Sequence, residues 1–236
     1  MKLRIKFSKH GPVKFIGHLD VMRYFQKAIR RAEIDIKYSE GFSPHQVMSF
    51  AAPLGVGLTS NGEYMDIEVN SMTDTKTLVE QLNAVMVDGI HISECCVLDE
   101  RAKNAMSLVA AADYTLTFRE EKQPENLEAF LKGLEAFTDQ SQIVVTKKTK
   151  KGEKDVDIKP GIYHLSVNGE TIFMKVSAGS ADNLKPELVM EAYYNFLGLS
   201  MPEFAFQIQR EEVYANTGDE DNRILIPLGH LGESCE

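Results

Sequence analysis

The chain has 236 residues, of which 43% are hydrophobic and 26% charged, and its formal net charge is −9. That length suits one large domain or two of about 110 residues, and two is the expectation. No apolar run approaches the roughly 20 residues of a membrane span, and the opening "MKLRIKFSKHG" lacks the apolar core of a secretory signal, so a cytoplasmic protein with no membrane partner is expected. Two of the cysteines, Cys95 and Cys96, are adjacent, and a strand would point them to opposite faces. With Cys235 they read as reduced thiols, not as a disulfide or a metal cluster. Gly55 and Gly57 form a GxG without the rest of a dinucleotide fingerprint, and no P-loop, CxxC or HExxH is present. No cofactor or metal is expected.

The elements follow in order. "LRIKFSK" (3–9) alternates apolar and basic residues, the period of a strand with one buried face and its basic residues outward. From His18 to about Glu33 the period becomes helical. Val21, Met22, Phe25, Ala28, Ile29 and Ala32 share one side, and Arg23, Lys27, Arg30 and Arg31 share the other. "QVMSFAAP" reads as a strand ended by Pro53, "TSNGE" as a turn, and "GEYMDIEV" (62–69) as the next strand. "DTKTLVEQLNAVM" is a helix capped by Asp74, and "GIHISECCVL" a strand.

After a linker with a short helical turn, the order repeats. It runs through the strand "DYTLTFRE", a helix beginning near Pro124, the β-branched "QIVVTKK" and a hairpin about Asn168-Gly169. A helix from Pro186 to Gly198 and the strand "EFAFQIQREEVYA" close it. The pattern predicts an α+β protein of two tandem ferredoxin-like domains, each β-α-β-β-α-β, with an extra excursion in the second. The boundaries are 1–100, a linker at 101–112, 113–215, and a tail at 216–236. The tail opens as an acidic loop and ends in an apolar piece expected to dock on a neighbour or a partner.

Charge is unevenly spread. Residues 1–50 hold ten Lys/Arg against four Asp/Glu, a net +6, which leaves −15 for the remainder of the −9 total. A basic first helix on an acidic body suits a localised contact with a polyanion or an acidic protein. A second basic cluster, "KKTKKGEKDVDIKPG", carries Lys147, Lys148, Lys150, Lys151, Lys154 and Lys159. The RNA-contacting candidates are therefore Arg23, Lys27, Arg30, Arg31, Lys147, Lys148, Lys150 and Lys151.

Between the basic helix and the next strand lies "YSEGFSPH" (38–45). Gly41 permits a positive φ, Pro44 drives Ser43 toward extended backbone, and Ser39 and Ser43 can bond local backbone, so a rigid loop is expected with Phe42 buried as its anchor. His18 and His45 are the candidate general acid/base groups if any chemistry is present.

The segments "SKHGPVKFIGHLD", "IRRAEI", "YSEGFSPH", "SFAAPLGVG" and "GEYMDIE", with "VDIKPGI" and "LKPELVMEA" in the second half, resemble the radical-SAM-associated bacterial domain of unknown function. That domain occurs alone or joined to the end of a cobalamin-binding radical SAM protein. The resemblance implies an accessory, substrate-binding module for a partner radical SAM enzyme, taking RNA or a protein. The chain lacks the CxxxCxxC cluster motif of the enzyme itself. An alternative is a metal-independent RNA endonuclease using a histidine of the first domain, because tandem ferredoxin-like domains with a basic first helix are similar to the RNA-processing endonucleases of CRISPR systems.

Overall fold

The computed structural model describes residues 1–149, 152–180, 182–219 and 222–233. It is a mixed α+β fold of mostly antiparallel sheet structure, with five α-helices among the described residues. The chain divides into two compact units. One comprises Met1–Ala110 together with the chain from Arg210 onward, the other Ala111–Gln209. Among the described residues no helix is long and apolar enough to cross a membrane.

The first unit begins β1 (Lys2–Lys9), α1 (His18–Arg31), β2 (Met48–Phe50), β3 (Thr59–Glu68), α2 (Thr75–Asn83), β4 (Ile90–Leu98) and α3 (Ala105–Leu108). β1 is central, antiparallel to β3 on one side and to β4 on the other, and β2 pairs with the outer edge of β3. Period-2 alternation sends Leu3, Ile5 and Phe7 to one face. There they meet Val21, Phe25 and Ile29 of α1, Leu78 and Leu82 of α2, and Met65, Ile67, Ile90 and Ile92 of the neighbouring strands. Both helices thus cover one face. At its centre Phe7 and Phe25 stand 4.8 Å apart, and Phe50 is edge-on to both. Asp74 caps α2 as expected, accepting from the Thr77 amide at 2.7 Å.

The opposite face corrects the expectation that the basic residues of β1 point outward. Arg4 is only 1% exposed. Its Nε and Nη2 bond the two oxygens of Asp66 at 2.8 and 3.0 Å, and Nη1 donates to the Leu228 carbonyl at 3.2 Å. Alternation does place Arg4 away from the helices, but residues 99–108 and the tail roof over that face, and a bidentate carboxylate makes the burial tolerable. Lys9, at the end of β1, is buried as well.

"TSN" is likewise strand and not turn, since β3 starts at Thr59 and Ser60 pairs with Lys9. The chain reverses instead in the preceding Ala51–Leu58 segment, where Gly57 has φ +90°.

The second unit contains β5 (Val109–Phe118), α4 (Leu127–Thr138), β6 (Val144–Thr149), β7 (Gly152–Asp157), β8 (Ile162–Asn168), β9 (Thr171–Ser177), α5 (Pro186–Phe196) and the start of β10 (Phe206–Asn216). β9 lies antiparallel between β5 and β8, and the predicted Asn168-Gly169 turn joins β8 to β9 with Gly169 at φ +60°. α4 starts at Leu127, shortly after Pro124, and is capped by Asn126, which accepts from the Ala129 amide.

"QIVVTKK" supplies no core strand. Among the described residues β6 pairs with β7 alone, in a separate two-stranded ribbon, and the next strand, β8, joins the main sheet. β7 is largely polar and exposed along most of its length, so it cannot fill an interior. Inside the unit, Phe130 packs on Tyr193 and Tyr194 with centroids 4.8 and 4.9 Å away. Gly133 lets the Tyr193 hydroxyl reach α4 and donate to the Phe130 carbonyl.

From Arg210 the chain belongs to the first unit. β11 (Leu225–Pro227) pairs with β10, Leu228 is fully buried, and Glu233 exchanges backbone hydrogen bonds with Val97 at 2.7 and 3.0 Å. The apolar end of the tail is therefore docked on its own unit.

Candidate nucleic-acid interface

α1 starts after Gly17, which provides no side-chain cap, and its first residue His18 lays its ring edge-on against Phe50 at 5.2 Å. Burying Val21, Phe25, Ala28 and Ile29 turns Arg23, Lys27 and Arg30 to solvent in one row. Asp20 pairs with Arg23 at 3.5 Å with both side chains well exposed. Such a pair is weak and leaves the guanidinium open to a stronger anion.

Arg31 is exposed but turned aside. Its Nη2 donates to the Val85 carbonyl at 3.1 Å, and its guanidinium lies 5.8 Å from the Tyr24 ring. Arg30 and Arg31 also occupy the last turn, where they complement the negative end of the helix dipole.

The loop after α1 is tied at its neck. Tyr38 bridges Gln46, the Ser39 amide donates to the His45 carbonyl at 2.8 Å, and the His45 amide donates to Ser39 Oγ at 3.1 Å. Ser39 Oγ also lies 2.9 Å from His45 Nδ1. Gly41 has φ +108°, the positive angle the turn requires.

Phe42 overturns the expected anchor, because it is fully exposed. The neck is closed by backbone and Ser39–His45 bonds, so the tip needs no apolar anchor. The buried residue is Gln46, 5% exposed, whose Nε2 donates to the Gln26 carbonyl of α1 at 3.2 Å. Arg30 Nε donates to that same oxygen at 3.2 Å. One carbonyl thus joins the base of the loop, four residues after the exposed Phe42, to Arg30 at the end of the cation row.

The other candidates are placed as follows. His18 is half-buried against Phe50, His45 is part of the loop neck, and His10 Nε2 is 2.8 Å from Asn61 Oδ1, so each of the three has a structural role on a separate element. Pro44 is exposed beside His45. Lys147 lies on the ribbon of the second unit opposite Lys154, and Lys148 opposite Glu153. Lys150 and Lys151 lie outside the described residues. Among the described residues, no three His, Cys, Asp or Glu are arranged to hold a metal ion.

Sequence reading missed the buried charges at the end of β1. Arg210 Nε donates to Glu63 Oε1 at 2.9 Å, and both side chains are buried. Lys9 Nζ donates to the Ile16 carbonyl at 3.1 Å, and burial lowers the pKa of this ammonium against the opposing pull of Glu63. The available signal was the odd Lys9 at an apolar-phase position of β1, following Leu3, Ile5 and Phe7.

The family model described as "Uncharacterized protein conserved in bacteria (DUF2344)" matches residues 2–186. The chain belongs to this family. The match takes in α1, the loop at 38–46 and the ribbon of the second unit. No curated protein matches the chain.

Proposed function

We propose that this protein is a cytoplasmic binding module that engages RNA through the first unit, with Arg23, Lys27 and Arg30 contacting phosphates. The observation that carries this reading is the Gln26 carbonyl shared by Arg30 and Gln46, which fixes a rigid loop beside the row of cations. Within each unit the strand succession and two helices support a tandem ferredoxin-like arrangement, a scaffold on which such a surface can be carried. The resemblance to a radical-SAM-associated domain supports an accessory role, in which the bound RNA is presented to a partner radical SAM enzyme. Binding is preferred to RNA cleavage because His18 and His45 are both engaged in local structure.

The test is the salt dependence of oligonucleotide binding. For a single strand the slope of log K against log salt is about −0.7 per phosphate contact, so three contacts give roughly −2. Arg23→Ala with Arg30→Ala should make that slope shallower by about 1.4 and weaken different sequences alike. Absence of salt-dependent binding at low ionic strength would reject the reading. Co-purification of a radical SAM protein through the same arginines would assign the cations to a protein contact instead.

A further inference from the structure

We infer that Phe42 is a base-stacking platform and that the RNA taken by this surface is single-stranded, an inference that rests on the RNA-binding reading above. Three observations carry it. First, Phe42 is fully exposed although the chain buries Phe7, Phe25 and Phe50 in the adjoining core, so its ring contributes nothing to the packing of the unit. An isolated exposed apolar residue needs no explanation in general, but this one sits at the tip of a loop whose conformation is heavily specified.

Second, that specification is local and polar. The neck is closed by the Ser39 and His45 bonds and by the Tyr38–Gln46 bridge, and Gly41 takes φ +108° immediately before Phe42. On the far side Pro44 restricts Ser43. The ring is therefore presented in a restricted set of positions, and a ligand stacking on it forfeits little conformational entropy.

Third, the loop base and Arg30 meet on the Gln26 carbonyl, so a strand whose phosphates follow Arg23, Lys27 and Arg30 brings its bases toward the loop. Aromatic stacking beside a cationic track is how single strands are held without sequence readout, because every base offers a π-face. A duplex keeps its bases inside and leaves Phe42 without a partner.

The charge pattern also favours a thread over a plane. Glu40 is exposed two residues from Phe42, Glu33 and Asp35 are exposed beyond the end of α1, and the whole chain carries −9. An anionic bilayer would confront these acids along with the cations, whereas a single strand needs only the strip.

The 236-residue chain contains no tryptophan, so Phe42→Trp installs a single indole reporter in it. The probes are labelled decauridylate and decaadenylate, a self-complementary RNA duplex, inorganic polyphosphate and phosphatidylglycerol vesicles. The inference expects quenching of the indole by both single-stranded oligonucleotides. It expects Phe42→Ala to weaken both by between about fivefold and a hundredfold, with the salt slope and polyphosphate binding unchanged. The substitution removes an exposed ring, so folding is not at risk, and thermal unfolding of the variant confirms it.

Wild-type-like oligonucleotide affinity in Phe42→Ala, or equal loss on polyphosphate, overturns the stacking role and leaves RNA binding standing. Tighter binding of the duplex than of the single strands also overturns it. Failure of the unmodified protein to bind any oligonucleotide removes both this inference and the reading beneath it. An indole blue shift on vesicles without quenching by RNA assigns the surface to a membrane and overturns both.

Discussion

Arg30 and Gln46, sixteen positions apart, donate to one and the same oxygen, the Gln26 carbonyl, each at 3.2 Å. Gln26 lies inside α1, so that carbonyl serves a surface arginine and a buried amide at once. Gln46 Oε1, by contrast, is buried with no hydrogen-bond partner among the described residues. Replacing Gln46 by Leu keeps the volume and removes both a satisfied donor and an unsatisfied acceptor, so stability should move by no more than about 1 kcal/mol. Gln46→Glu instead buries a carboxylate against a carbonyl and should cost at least about 2 kcal/mol at neutral pH. Urea unfolding of the two variants checks this, and equal effects would mean that Gln46 is not the tie.

The Arg4–Asp66 pair closes the face of the first unit away from its helices. Asp66 Oδ2 also accepts from the Ala105 amide at 2.7 Å, and Arg4 reaches the Leu228 carbonyl, so the pair joins β1, β3, α3 and the tail. Arg4→Ala leaves a largely buried carboxylate without its cation and should cost about 3 kcal/mol. Amide exchange should rise first at Val97 and Glu233, whose mutual hydrogen bonds hold the end of the tail.

Two glycines should respond differently to the same added methyl. A Cβ on Gly41 meets no atom within 4 Å, so Gly41→Ala pays only for its φ of +108°, about 1–3 kcal/mol. A Cβ on Gly62 would stand 2.6 Å from the Glu211 carbonyl oxygen and 2.7 Å from the Glu212 Cα, and neither backbone can yield without parting β3 from β10. Gly62→Ala should therefore be the more damaging by about 1 kcal/mol or more, read as the difference in unfolding midpoint.

Burial pushes the Cys95 thiol up to about 12 from its ordinary 9.0. The folded state holds this proton more tightly than the unfolded chain does. Its contribution is therefore complete below pH 9.0 and is lost as the pH climbs from there toward 12. Cys95→Ala should lose less stability between pH 9 and 11 than the parent protein does. At pH 8 the thiolate is scarce, so alkylation of Cys95 should track unfolding and slow when unfolding is suppressed.

The sequence by itself determined the local elements, because their periods are enforced residue by residue. Alternation in "LRIKFSK", the helical spacing from Val21 to Ala32, the Asp74 cap and the Asn168-Gly169 turn each need only near neighbours, and each is present. The buried face of α1 followed from its period, as did the exposure of Arg23, Lys27 and Arg30. What period-2 alternation cannot say is whether the second face of a strand meets water. Arg4 is buried because residues 99–108 and the returning tail roof it over, through contacts with positions 99 and 224 residues away. Phe42 errs in the opposite direction. Hydrophobicity argued for an anchor, but the neck of the loop closes through Ser39, His45 and Gln46, which holds the loop while the ring stays exposed. Tertiary structure alone returns Arg210 to Glu63 and brings Arg30 and Gln46 to one oxygen, because such pairings depend on where distant segments cross and leave no period to read.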